Sequence, residues 1–185
     1  MHAERPAISA LPDLCWQRLE QAAATRDDPW HTPAIANLNG DGPQMRTVVL
    51  RAVSATGRTL ICHTDTRSSK ARALTADPRM CWLFYDPQTR LQLRANGSAE
   101  LLRDGEFAEQ QWHSLHAGSQ VLYGQHGAPG MPLTEGQSAG REREHFLTVR
   151  CHIEQMDWLQ LGRQAHWRAA LHWQAGQWQA QWVNP

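Results

Sequence analysis

The residues of this chain best suited to chemistry lie in two short runs, at 46–51 and 63–70. The first run is β-rich and carries an arginine at each end, whereas the second combines a strand end, a turn of hydroxyl residues and a helix start. The beginning of a helix offers unpaired N–H groups and the positive end of the helix dipole, which together suit an anion. The groups that would surround such an anion are Thr64, Arg67, Ser68, Ser69 and Lys70, with Arg46 or Arg51 from the neighbouring strand.

Spacing alone leaves two interpretations of this cluster open. In the first, both runs converge on a phosphate monoester. In the second, residues 63–70 form a solvated basic turn in which Ser68 or Ser69 is an ordinary N-cap. A compositional asymmetry bears on the choice, since 17 of the 18 basic residues are Arg and Lys70 is the single Lys. Codon usage explains an excess of Arg, whereas a site that needs an ammonium would explain a Lys at this position.

The elements around these runs predict a mainly β fold with flanking helices, built as one domain over the 185 residues. We expect helices over 12–27 and 104–115 and a long loop over 116–144. The predicted strands fall within 33–102 and 146–183 and number six to eight. Short antiparallel strands at this spacing are typical of a small closed or split barrel.

Local signals mark several turns and ends of these elements. Asn39-Gly40-Asp41-Gly42 and Ala175-Gly176 predict hairpins, because such residues accept the positive φ angles of tight turns. Gly97 interrupts a predicted strand, which indicates a bulge or a close approach of two backbones. Asp104 is placed to cap the second of the two predicted helices.

Charge and composition argue against several classes of protein. The chain has 18 basic and 18 acidic residues and a pI near 7.2, which does not suit nucleic-acid binding by bulk charge. No stretch approaches the roughly 18 apolar residues that cross a bilayer, and the N-terminus lacks the apolar run of a signal peptide. The four Cys are scattered without a CxxC pair, which favours reduced thiols over disulfides or zinc. We therefore expect a cytoplasmic protein that has no metal site and binds neither nucleic acid nor membrane.

The order of several segments resembles the pyridoxamine 5′-phosphate oxidase-like family of FMN-binding split barrels. The resemblance begins with the consecutive segments PAIANLNGDGPQMRTVVLR, HTDTRSSK, DPRMCWLFYD and RLQLRANGSAEL. It resumes with WHSL, with YGQHGAPGMPL and with Trp158 followed by His166-Trp-Arg168. It implies a split β-barrel with FMN as cofactor, bound at the interface of a homodimer.

The resemblance also implies which residues bind the flavin. Arg46 opens and Arg51 closes the flavin-contacting strand, and Lys70 holds the phosphate. Ser69 stands where the oxidase has an Arg, whose charge Arg67 would supply. The other implied contacts are Thr47, Val48, Val49 and Leu50 beneath the ring, His63, Thr64 and Ser68 near the phosphate, Gln92 at the ring, Gln137 and Ser138 from the partner subunit, and Trp158 and Arg168 late in the chain.

The substrate-binding positions differ from those of the oxidase. Four positions that hold the phosphate of the vitamin substrate there correspond to Arg51, Gln111, Leu115 and Ser119, and a later Arg-Leu-His segment reads Gln164-Ala165-His166. Two basic groups and a phenol are lost, and each charge-assisted contact contributes about 1.5–3 kcal/mol. We therefore expect an FMN-dependent oxidoreductase of unknown substrate, with His166 as the candidate polar group beside the substrate. The alternatives are a non-catalytic FMN or ligand carrier or sensor, and a barrel that has lost its flavin.

Overall fold

The computed structural model describes residues 5–40, 42–124, 127–132, 143–162 and 165–185. These residues contain nine strands, all paired antiparallel in one sheet of order β2-β1-β5-β6-β7-β4-β3, with β8 paired to β7 and to β9. The strands are β1 (Ala34–Asn39), β2 (Gly42–Thr47), β3 (Ala52–Ser54), β4 (Thr59–Asp65), β5 (Arg79–Asp86), β6 (Leu91–Leu102), β7 (Phe146–Leu161), β8 (His166–Gln174) and β9 (Gln177–Val183). The helices are α1 (Leu11–Ala24), α2 (Ser69–Ala76), α3 (Glu106–His113) and α4 (Ala117–Gln120).

This architecture confirms the predicted mainly β fold with flanking helices, although the described strands number nine rather than six to eight. The extra strand arises because the β-rich run at 46–51 does not form one strand: β2 ends at Thr47, β3 begins at Ala52, and the chain changes partners between them. The hydrogen bonds of this intervening segment run from Val48 N to Pro33 O (3.0 Å), from Leu50 N to His31 O (2.8 Å) and from Arg51 N to Ile61 O (2.8 Å). Residues 48–51 therefore join the chain before β1 to β4 and close the sheet into a barrel.

The longest strand, β7, pairs with three others. It runs beside β6 for most of its length, while its first half pairs with β4 and its second half with β8 on the other edge. The sheet therefore divides at β7, and the hairpin of β8 and β9 continues from its second half. That hairpin turns at Ala175 and Gly176, both at positive φ, which confirms the predicted two-residue turn.

Gly97 sits at an irregularity between β6 and β7. The register shifts between Asn96 and Gly97, so that Glu154 of β7 has no residue opposite it. A Cβ atom on Gly97 would collide with the carbonyl oxygen of His152. The predicted bulge and the close backbone approach are both confirmed, and glycine is required here because the backbone of β7 occupies the place of a side chain.

The main core lies between the inner face of the sheet and α1. Burial of such large apolar side chains contributes about 1.5–3 kcal/mol each. The largest members of the core are Trp30, Trp82, Phe84, Leu11, Leu19 and Ile35, each fully buried. A second, smaller cluster, here called the aromatic cluster, consists of Trp112, Leu115 and Phe146 with Tyr123 packed against them.

Three helical predictions need correction. The helix expected at 12–27 ends at Ala24, because Thr25 is already extended (φ −118°, ψ 109°). The helix expected at 104–115 begins at Glu106; its N-cap is Gly105 (φ 93°), and no side chain caps it, so Asp104 is not the cap. The loop expected at 116–144 contains α4 and two 3₁₀ turns where it is described. In the described part of the chain no helix has the length and apolar character to cross a bilayer.

Candidate functional site

The start of α2 is built from two hydroxyl residues. The Oγ of Ser68 accepts a hydrogen bond from the N–H of Ala71 (3.1 Å), so Ser68 is the N-cap of the helix. The same oxygen lies 3.1 Å from Oγ1 of Thr64 at the end of β4. Both residues are buried, whereas Ser69 is exposed. The N–H groups of Ser69 and Lys70 open the helix and have no acceptor within it, as in any first turn.

Lys70, in the first turn of α2, is nearly buried and has no counter-ion among the described residues. The residue is only 9% exposed, and its ammonium forms no hydrogen bond or ion pair with any described residue. Burial lowers the pKa of Lys70 below the usual lysine value, and the positive charge of Arg46 lowers this pKa further. An ammonium largely removed from water without an anion beside it is costly. The environment of Lys70 therefore fits a bound anion such as a phosphate.

Arg46 adds a second cation near Lys70, and its described partners are neutral. Its guanidinium donates to Oδ1 of Asn37, to Oε1 of Gln44 (2.9 Å) and to the carbonyl of Gln44 (3.2 Å). These amides orient the guanidinium while leaving its charge in place, and burial lowers the pKa of Arg46. Asn37 and Gln44 were not predicted as site residues. Gln44 could have been found from the sequence, because a residue two positions before Arg46 on a strand lies on the same face as Arg46.

Arg67 is arranged differently from Lys70 and Arg46. Its guanidinium forms a two-pronged ion pair with Asp65, with Nη2 to Oδ2 at 2.7 Å and Nε to Oδ1 at 3.0 Å. Hydrogen bonding to this carboxylate raises the pKa of Arg67. The sequence analysis expected Arg67 to supply the charge of the Arg that the oxidase has in place of Ser69. In the structure Asp65 balances the charge of Arg67. A role of Arg67 in binding phosphate stays a prediction.

The barrel-closing segment alternates between the core and the accessible surface. Val48 and Leu50 are buried, whereas Thr47 and Arg51 are exposed and Val49 is half-buried. Of the five residues, Thr47, Val49 and Arg51 can meet a ligand through their side chains. Val48 and Leu50 can do so only through their backbone.

His63 lies on the opposite face of β4 from Thr64, against the aromatic cluster. Its Nε2 is 3.0 Å from Oε1 of Gln111 on α3, and its ring meets Phe146 edge-on at 4.8 Å between centroids. Its Nδ1 is buried and has no hydrogen-bond partner among the described residues. Burial lowers the pKa of His63 to about 4, opposed by the bond to Gln111 and assisted by the charge of Arg51. The imidazole is therefore neutral at physiological pH.

Gln92 and Arg168 lie in one row on the outer face of the sheet. Gln92 of β6 pairs with Leu159 of β7, which pairs with Arg168 of β8. Paired residues share a face and neighbouring strands lie about 4.8 Å apart, so the backbones of Gln92 and Arg168 are about 10 Å apart. The structure thus brings these two predicted flavin contacts together.

Trp158 does not share that face with Arg168. Trp158 pairs with Ala169, so it points to the core side of the sheet, where it is 7% exposed and meets Trp182 at 6.0 Å between ring centroids. The sequence grouped Trp158 with Arg168 at the flavin. The structure places these two side chains on opposite faces of the sheet.

The Gln92 row is far along β7 from the start of α2. Thr64 pairs with Leu147, whereas Gln92 pairs with Leu159, twelve residues further on and about 40 Å of strand length away. No hydrogen bond or ion pair between described residues joins the two groups. His166 is exposed at the beginning of β8, beside a surface depression of about 530 Å³. Gln137 and Ser138 lie outside the described residues.

Among the residues that the structure describes, no three His, Cys, Asp or Glu side chains converge in a way that could hold a metal ion. The groups that do converge at α2 are cations and hydroxyls, and such groups suit an anionic cofactor.

Comparison with known proteins identifies the class. Residues 14–103 match the family model described as pyridoxamine 5′-phosphate oxidase, FMN-binding domain. The matched segment is just under half of the chain and is similar to this family of FMN-binding split-barrel proteins, and FMN is the cofactor of the family. The uncompensated cations at the start of α2 fit the phosphate of that cofactor.

Relatives of known name support the same assignment over part of the chain. The pyridoxine/pyridoxamine 5′-phosphate oxidase of Kineococcus radiotolerans is 37% identical over 87 residues, which are 47% of this chain and 38% of that protein. The enzyme of the same name from Caulobacter vibrioides is 30% identical over 101 residues, 52% of this chain and 45% of that protein. The chain therefore matches less than half the length of these two relatives.

Solved structures share the fold over nearly the whole chain. A pyridoxamine 5′-phosphate oxidase-related, FMN-binding protein from Nostoc punctiforme has a TM-score of 0.77 at 21% identity and covers 100% of both chains. PhzG from Burkholderia lata, in complex with tetrahydrophenazine-1-carboxylic acid, has a TM-score of 0.76 at 17% identity, with 98% of this chain and 95% of that chain covered. At these identities the likeness shows the fold.

Proposed function

We propose that this protein is an FMN-dependent oxidoreductase that works as a cytoplasmic homodimer. The observation that carries the proposal is the pair of cations formed by Lys70 at the start of α2 and Arg46 on the nearby β2, which no carboxylate of the described residues balances. A chain that needed these groups only for folding would gain stability from pairing or replacing them. An anionic cofactor supplies the missing negative charge.

The residues around these cations would hold the phosphate in a defined place. The ammonium of Lys70 and the guanidinium of Arg46 would donate charge-assisted hydrogen bonds, and the first N–H groups of α2 would donate two more. Thr64 and Ser68 fix the end of β4 against the helix start through their hydroxyl pair. The preformed arrangement lowers the cost of ordering the site when the cofactor binds.

Once bound, FMN supplies the redox chemistry of the site by accepting a hydride. The protein's part is to bind, orient and tune the ring. Thr47 and Val49 offer accessible side chains on the segment that follows Arg46, and Gln92 and Arg168 are donors that stabilise negative charge when they face the ring.

A second copy of the chain would bring these two groups of residues together. Within one chain, the row of Gln92 and Arg168 is separated from the start of α2 by much of β7. The outer face that carries the row also exposes Met45 (65%), Leu38 (42%) and Tyr85 (44%), which are large apolar groups that a partner would cover. A dimeric mass in solution is the expected result, and a monomer that binds FMN tightly would contradict the shared site.

The substrate side of the site is less charged than the resemblance to the oxidase would require. Gln111 is engaged with His63, and Leu115 is buried in the aromatic cluster. Neither supplies a positive charge, so Arg51 is the remaining cation among the four corresponding positions. We infer a substrate other than pyridoxine phosphate.

The test is to purify the protein and record what it carries. We expect a yellow protein that releases FMN on denaturation, whose bound flavin is reduced by NADH or NADPH and reoxidised by an added acceptor. Flavin that binds but is reduced by neither donor would favour a carrier or sensor. A colourless protein that does not take up added FMN would refute the proposal.

A further inference from the structure

Asp157 of β7 lies between two arginines on the outer face of the sheet. Its Oδ2 accepts from Nη2 of Arg168 (2.8 Å), from Nε of Arg168 (3.1 Å) and from Nη2 of Arg94 (2.8 Å). Its Oδ1 accepts a further bond from Nε of Arg168 (3.2 Å). Both arginines lower the pKa of Asp157 against the effect of its burial, so this carboxylate is ionised at neutral pH.

Two of the three nitrogens of the Arg168 guanidinium are bound by Asp157, and the third is not. Asp157 occupies Nε and Nη2, and Nη1 forms no hydrogen bond with a described residue. The planar fork of an arginine is rigid, so fixing two of its nitrogens also fixes the direction of the third. The Nη1 group is therefore presented in one orientation, on a side chain that is 33% exposed.

The position of this group links it to the proposed cofactor site. Arg168 shares a row and a face with Gln92, and Asp157 lies two residues along β7 from Leu159 of that row, on the same face of a strand that pairs with both β6 and β8. The open Nη1 group of Arg168 therefore lies on the face of the sheet that carries Gln92. Such a face suits the polar, electron-rich edge of a planar ring.

We propose that Asp157 is a positioning residue that aims Arg168 at the flavin. The proposal rests on the proposed function, in which Arg168 faces the bound cofactor. Arg94 is the second partner of the carboxylate and forms no hydrogen bond with Arg168 among the described contacts. Asp157 therefore acts through Arg168, and its effect on the cofactor depends on the presence of that arginine.

The test is a double-mutant cycle on FMN affinity, measured by quenching of flavin fluorescence. We expect Asp157→Asn to weaken FMN binding about fivefold and Arg168→Gln about tenfold, as for lost charge-assisted contacts. In the Arg168→Gln background, Asp157→Asn should not weaken binding at all, because the residue it positions is gone. The visible spectrum of the bound flavin should change in Asp157→Asn as it does in Arg168→Gln.

Arg94→Gln is the matched control, because it removes the other partner and leaves the bonds between Asp157 and Arg168 in place. Its FMN affinity should stay within about twofold of the wild type. Thermal unfolding of the FMN-free variants separates a folding defect from a binding defect.

Equal weakening by Asp157→Asn in both backgrounds, or no weakening in the wild-type background, would overturn the role of Asp157 and leave the proposed function standing. A wild-type protein that does not bind FMN would refute both. The two failures are therefore distinguishable from one set of titrations.

Discussion

Lys70 and Arg168 are both proposed to contact the cofactor, but their charges lie in different environments. Lys70 is 9% exposed and has no described partner, whereas Arg168 is 33% exposed and is held by Asp157 through three hydrogen bonds. A buried, unbalanced charge destabilises the empty protein and is relieved by an anion, whereas a paired and exposed charge is already satisfied. Lys70 therefore contributes mainly to the affinity for FMN, and Arg168 contributes to the orientation of the flavin.

The largest effect expected from this comparison is on cofactor binding. Lys70→Ala should weaken FMN binding by about 1.5–3 kcal/mol, roughly 10- to 150-fold, because it removes a charge-assisted contact to the phosphate. Arg72→Ala is the control, since Arg72 is an exposed cation on the same helix, and it should change the affinity by less than about twofold. Equal losses of FMN affinity in the two variants would mean that Lys70 acts only through the general positive charge of this helix and makes no specific contact with the phosphate.

The second prediction concerns His63, a half-buried base next to Thr64 on β4 whose imidazole is neutral. Its folded pKa of about 4 lies below the ordinary 6.5, so between these values the unfolded chain binds more protons than the folded one. The free energy of unfolding should therefore fall as the pH falls from 6.5 towards 4, with about 2 kcal/mol attributable to His63. Urea denaturation at pH 7 and pH 4.5 measures it. His63→Phe should lose that part of the pH dependence, and an unchanged profile would contradict a buried neutral imidazole.

The third prediction tests whether the charge of Lys70 is a cost in the absence of cofactor. Lys70→Met should raise the free energy of unfolding of the FMN-free protein by about 1 kcal/mol at pH 7, since it removes a buried unpaired ammonium and keeps an apolar stem. Because the folded pKa of Lys70 lies below 10.5, the wild type should gain stability as the pH rises towards that value, and the variant should lack this gain. A Lys70→Met protein less stable than the wild type at pH 7 would mean that the ammonium is satisfied in the folded state.

The smallest effect is expected from the paired arginine. Arg168→Gln should change the free energy of unfolding of the FMN-free protein by less than about 0.5 kcal/mol, because exposed ion pairs contribute little. Thermal unfolding without FMN measures this change. A large loss of stability would show that the pair with Asp157 is a structural support, and the contrast with Lys70 would then disappear.

Features that depend on neighbouring residues were predictable from the sequence. The turn at Ala175-Gly176, the irregularity at Gly97 and the N-cap at Ser68 each follow from the conformational or hydrogen-bonding preference of one or two residues. The cluster of hydroxyls and cations at the start of α2 was found for the same reason, because helix starts have a local signature.

Features that depend on strand register were not predictable. The ten-residue spacing of Trp158 and Arg168 suggested one site, but the two residues lie on different strands, and Trp158 is paired with Ala169. A shift of one residue in the register reverses the face to which a side chain points, and the sequence does not state the register. The partnerships of Asp157 and of Asp65 with arginines also follow from the folded geometry.

The barrel-closing segment at 48–51 has a consequence for how the protein moves. The amide protons of Val48, Leu50 and Arg51 are held by bonds to the chain before β1 and to β4, so they exchange with solvent only when the closure opens. A ligand that binds only the closed form suppresses opening in proportion to its concentration over its dissociation constant. Added FMN would slow hydrogen exchange at these amides. Bound FMN would then stabilise the closed barrel as well as supply its redox chemistry.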